Sequence, residues 1–104
     1  MSRSVVPSRE RPRKIAEQVA ALARRVLGPG IHVYWFGSWA EGRAVERSDI
    51  DVGIEAEEPI PLHQLGRLRA AVEELSTLYT VDLLDLRAVD PALRERALSR
   101  GIRL

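Results

Sequence analysis

Residues 49–54, Asp-Ile-Asp-Val-Gly-Ile, alternate polar and apolar side chains with the two-residue period of a strand. In such a strand Ile50, Val52 and Ile54 face a core, while Asp49 and Asp51 share the opposite face. The chain must therefore supply a sheet with one apolar side and helices to cover it. Two helical stripes meet that need. Ile15, Val19, Leu22 and Val26 recur at helical spacing over residues 13–27, and Gly28-Pro29-Gly30 ends that run. Leu65, Leu68, Val72 and Leu75 form a second stripe, with Pro61 suited to its first turn. Two further strands are expected, "IHVYWF" at 31–36 and "YTVDLLDL" at 79–86, both rich in β-branched, aromatic or leucine residues. Asp90-Pro91 reads as an N-cap with proline at the first helical position, opening a last helix to about Leu98.

With a short helical turn over 38–42, the order is α-β-(short α)-β-α-β-α. That is an α/β (α+β) class fold, a small mixed β-sheet flanked by helices. A length of 104 residues supports one domain with one modest core. Residues 1–12 carry Arg3, Arg9 and Arg11 against Glu10, with two prolines, and are expected to be a basic, flexible arm; residues 13–104 are the domain. Three strands are few, so one edge or face is expected to be covered by a partner.

Composition removes several function classes. A net charge of +1 gives no global field for DNA, RNA or membrane, so no direct DNA binding is expected. No apolar run approaches the roughly 20 residues of a spanning helix, and the first residues hold no apolar stretch of a secretory signal. There is no cysteine, which excludes disulfides and thiolate metal sites. The expected location is cytoplasmic.

The chemistry concentrates between residues 37 and 51. Two carboxylates on one strand face repel each other and call for a counter-charge. An oxygen-liganded divalent cation supplies one, magnesium above all, since it binds through one or two carboxylates plus substrate phosphates. A solvated strand edge is the plainer reading of an isolated pair. Upstream, Gly37-Ser38 ends a strand and opens a helical turn, a place where free backbone N–H groups and a close backbone approach receive phosphate.

Gly37-Ser38, ten intervening residues and then Asp49-x-Asp51 resemble the signature of the nucleotidyltransferase fold of the DNA polymerase β superfamily. The short length and the "VDLLDL" strand are similar to its smallest members, the minimal nucleotidyltransferases. The resemblance implies a third carboxylate from a neighbouring strand, which by motif is Asp82. Asp82 and Asp85 lie on opposite faces of their strand, so only one can join; Asp85 is expected at the rim or in a structural role, and Glu55 as a peripheral acid. The implied chemistry is magnesium-dependent transfer of AMP from ATP. Asp49, Asp51 and Asp82 would hold two ions, and Asp82 would assist deprotonation of the acceptor. Gly37 and Ser38 would receive the departing pyrophosphate, while Arg43 and Arg47 would contact triphosphate or acceptor. The implied partner is a HEPN-domain toxin, neutralised by AMP placed on a tyrosine. The alternatives are an idle module that neutralises by contact alone, and an enzyme with another acceptor.

One departure stands out. Relatives often carry arginine two and four residues after the glycine, where this chain has Trp39 and Glu41. Trp39 could stack on a base or partner, or pack over the short helix. His32 and His63 have no partners at metal-ligand spacing and are given no catalytic role.

Overall fold

A computed structural model describes residues 8–75 and 77–104. The elements run α1 (Glu10–Leu27), β1 (His32–Phe36), α2 (Gly37–Ala40), β2 (Ile50–Glu55), α3 (Leu62–Glu73), β3 (Val81–Asp85), α4 (Pro91–Arg100) and β4 (Ile102–Arg103). The sheet order is β3-β2-β1-β4. β1 pairs antiparallel with β2 and with β4, whereas β2 and β3 run parallel across the α3 connection. The expected mixed sheet flanked by helices is the fold observed.

The helices divide between the two faces. Ile50, Val52 and Ile54 are fully buried with Val33, Trp35 and Leu83, under the stripes Ile15, Val19 of α1 and Leu65, Leu68, Val72 of α3. On the other face α4 lays Ala97 against Phe36 and Leu86. Asp90 caps α4, its Oδ1 accepting the Ala92 N–H at 3.3 Å. Gly28 closes α1 by donating its N–H to Arg24 O at 2.9 Å.

Two features differ from expectation. α1 starts at Glu10, three residues before the predicted helix, with Pro12 buried in its first turn. Proline is tolerated there because first-turn N–H groups have no intrahelical acceptor. Residues 10–12 of the expected arm are thus helical, and its residues 1–7 lie outside the described ones. The C-terminal residues add a fourth strand beside β1, with Leu104 N–H donating to Val33 O at 2.8 Å. A two-residue strand has no periodicity to announce it. Among the described residues no helix is long and apolar enough to cross a membrane.

Gly53, opposite Tyr34 in the sheet, makes room for Leu86: a Cβ there would stand 2.8–2.9 Å from that fully buried side chain. Gly53→Ala is therefore expected to lower the unfolding free energy by about 1–3 kcal/mol, the usual cost of overpacking. Urea denaturation measures it, with Gly66→Ala as the control, since a Cβ on that α3 residue meets open space.

Candidate active site

The site grows from one register. β1 and β2 pair so that Phe36 stands opposite Asp51, and β2 and β3 pair so that Asp51 stands beside Asp82. Directly paired residues share a sheet face, so Asp51 and Asp82 lie together on the α4 side. Immediately after Phe36 the chain turns into α2 through Gly37, whose φ is +80°. A Cβ at Gly37 would run into Asp51 Oδ2. The conformation and the contact each require glycine, and together they press the Gly37-Ser38 turn onto the carboxylate.

Asp51 is half-buried, while Asp49 and Asp82 are exposed. The carboxyl of Asp51 is pushed up to about 6, first by burial, then by the charges of Asp82 and Asp49. The three predicted aspartates thus share one electrostatic patch. Among the described residues, every carboxylate held in an ion pair is Glu41 or Glu55, so none of the three has a basic partner.

The chemistry of that set suits a hard divalent cation: it offers only carboxylate oxygens, without a counter-charge among the described residues, and the adjoining turn is shaped by glycine. It is not a finished cage. Among the described residues no three His, Cys, Asp or Glu side chains stand together as a complete ligand group. Magnesium asks for less, since water and substrate phosphates fill most of its octahedron.

Other acids are accounted for structurally. Asp85 is buried, its Oδ2 accepting the Ile60 N–H at 2.8 Å and its Oδ1 the Arg87 N–H at 3.0 Å. Glu55, expected at the periphery, is buried and paired with Arg94 at 2.9 Å and Arg87 at 2.8 Å. Trp39 is buried, donates Nε1–H to Ser48 O at 2.7 Å and meets Tyr79 edge-on at 5.8 Å. It projects from the short helix into the main core and is closed to a base. Glu41 takes Arg43, Arg96 and Arg100, and the Arg96 hydrogen bond, ahead of the other charges, holds its carboxyl below the usual range. Arg47 is exposed and lines a cleft of about 470 Å³ with Arg11, Tyr79 and Thr80. His32 and His63 are exposed. Sequence reasoning missed the α4 arginines; their only signal was the i, i+4 spacing of Arg96 and Arg100.

The family described as polymerase β nucleotidyltransferase matches residues 30–104, the stretch that contains the turn and all three aspartates. The chain belongs to that family. A solved structure assigned as a minimal nucleotidyltransferase is similar over 97% of this chain and 100% of its own, at 35% identity and a TM-score of 0.71. MntA of Haemophilus influenzae, named a protein adenylyltransferase, is 38% identical over 69 residues, 66% of this chain. The match spans 60% of that relative's length. A chain of a toxin–antitoxin complex solved with AMP-PNP has a TM-score of 0.62 at 25% identity, over 85% of this chain and 70% of its own.

The raised Asp51 carboxyl has a consequence for stability. Folded Asp51 holds its proton more tightly than the unfolded residue, whose ordinary value is near 3.8. Stability then falls as pH rises from about 4 to 6, and the penalty is fully present above 6. In metal-free buffer, Asp51→Asn should melt above the native chain at pH 7.5 and level with it near pH 4. Solvent screening of a half-exposed group limits the gain to about 1–2 kcal/mol. Melting at or below the native chain at both pH values would refute the strain.

Proposed function

We propose that the chain transfers AMP from ATP to a hydroxyl of a partner protein, a tyrosine of a HEPN-domain toxin, and so acts as its antitoxin in the cytoplasm. The observation that carries this reading is the contact between Gly37 and Asp51, which sets a phosphate-receiving turn against a carboxylate that has no basic partner among the described residues. Similarity to a protein adenylyltransferase and to a toxin–antitoxin chain crystallised with an ATP analogue supports the choice of nucleotide and partner.

In this reading Asp49, Asp51 and Asp82 hold magnesium. Bound magnesium supplies charge neutralisation to the phosphates and lowers the pKa of the attacking hydroxyl. Gly37 and Ser38 receive the β- and γ-phosphates, with Arg43 on the same side. The acceptor oxygen bonds to the α-phosphorus, the bond to the bridging oxygen breaks, and pyrophosphate leaves over the turn. Asp82 takes the hydroxyl proton. It lies exposed on the edge strand of the sheet, open to a residue delivered by another protein. Arg47 lines a separate cleft with Arg11, Tyr79 and Thr80, and in this reading it contacts the triphosphate or the acceptor chain.

Incubation of a HEPN partner with this protein, ATP and magnesium should add one or more AMP units by intact mass spectrometry. Asp49→Asn/Asp51→Asn, or chelation of the metal, should abolish the gain. An unmodified partner in a stable complex would point instead to neutralisation by contact.

Asp82 and Asp85 should separate cleanly. Asp82→Asn is expected to cut transfer by at least about a hundredfold, the scale of lost general-base assistance, without lowering the melting temperature, since it removes a charge that repels Asp51. Asp85→Asn should keep its chemistry but lose about 1–3 kcal/mol of stability, because the amide turns a donor toward one of two backbone N–H groups.

A further inference from the structure

Position 41 holds a glutamate, and the structure surrounds it with arginines from elsewhere. Arg96 approaches through Nε and a terminal nitrogen at 3.4 Å each, Arg43 at 3.4 Å and Arg100 at 3.8 Å. These are long separations. Three guanidiniums share one carboxylate, which leaves two positive charges in excess and most of the N–H donors unused. The arginine side chains are 54%, 47% and 61% exposed for Arg43, Arg96 and Arg100, whereas that of Glu41 is 13% exposed. The acid is enclosed and the cations face outward.

The cluster lies beside the phosphate-receiving turn. Glu41 ends α2 and its N–H donates to Gly37 O at 3.0 Å, so it stands one helical turn, about 6 Å, from the glycine that touches Asp51. α4 brings its arginines to the same place. Ala97 packs on Phe36, the residue before Gly37, and a Cβ on Gly101 would stand 3.2 Å from Phe36 Cβ. Arg96 and Arg100 flank that contact, on the sheet face that carries Asp51.

We propose that Arg96 and Arg100, together with Arg43, clamp the polyphosphate of the nucleotide, and that Glu41 is the internal anion that arrays them for it. This rests on the nucleotide-transfer reading above. Through α4 the clamp brings positive charge to a turn whose own residues, 37–42, carry no basic side chain. Guanidinium suits the task because its planar fork meets phosphate oxygens two at a time. Glu41 matters because three arginines brought together without an anion would repel one another and drift apart. A polyphosphate with more charge than one carboxylate, spread over several oxygens, is the better ligand and draws on the unused donors.

Calorimetric titration of ATP and of AMP, with magnesium present, tests the clamp. Arg96→Gln/Arg100→Gln is expected to weaken ATP binding by roughly tenfold or more, the scale of lost charge-assisted bonds, and to leave AMP binding unchanged. Glu41→Gln removes the anion that arrays the arginines and is expected to weaken ATP binding severalfold with AMP binding unchanged; ATP binding at the native level would refute that role for Glu41. If the α4 arginines serve only to fix Glu41, the glutamine pair will bind ATP within twofold of the native chain, and the clamp is refuted while the transfer reading stands. A native chain that binds no ATP overturns both. Should the glutamine pair fail to fold, Arg96→Lys/Arg100→Lys keeps the charge without the fork; a severalfold loss for ATP alone supports the clamp, and none refutes it.

Discussion

The register that sets Phe36 opposite Asp51 is the constraint on which the rest of the site depends. From it the chain must leave β1 directly over the carboxylate, and only a glycine at positive φ can make that turn without striking it. The register is itself fixed by burial. Ile50, Val52 and Ile54 are fully enclosed on the other face, and a slip of one residue would send them to the α4 side and Asp51 into the apolar core. The hydrophobic alternation of one strand thus positions the acid, the acid's position dictates the glycine, and parallel pairing with β3 brings Asp82 alongside.

Helix α4 is held to this arrangement at two points of different character. One is Glu55, buried and bound by Arg94 through both carboxylate oxygens at 2.9 and 3.1 Å, with Arg87 at 2.8 Å. Short, two-pronged contacts to an enclosed acid fix geometry, and losing one partner would strand a charge. The other is Glu41, with contacts of 3.4–3.8 Å to exposed arginines. Between them Phe36, Leu86 and Ala97 form a small apolar contact. One end of α4 is thus locked and the other loosely engaged, and the loose end lies next to the turn.

Much of this was legible in the sequence because the physics involved is local. Period-two alternation located β2, residue content located β1 and β3, helical spacing located α1 and α3, and parity along β3 showed that Asp82 and Asp85 point apart. Proline chemistry marked α4. The same local reasoning placed the start of α1 late, since Pro12 was read as a barrier when its position in the first turn makes it harmless. What escaped was set by tertiary contact. β4 is a strand only because β1 offers it an edge. Spacing left Trp39 open between stacking and packing, and only the tertiary contacts with Ser48 and Tyr79 decide for packing. Glu41 and Arg96 are 55 residues apart, and no spacing rule joins them.

The contrast between two acids on neighbouring strands carries the functional argument furthest. Asp85 is the more deeply buried, and the fold satisfies it: one oxygen takes the N–H of Ile60, the other that of Arg87. Asp51 is half-buried beside two further aspartates, and its carboxyl is raised first by burial and then by their charges, with no basic partner among the described residues to offset them. Arginine is plentiful in this chain, and two arginines reach Glu55 on the same face. A counter-charge for Asp51 was therefore available to the fold. Burying a carboxylate unpaired costs free energy that the same residues, differently spaced, would recover. That cost is the basis of the proposed ligand, whose charge would supply what the fold withholds, and a glycine-shaped turn lies against the oxygen that would meet it.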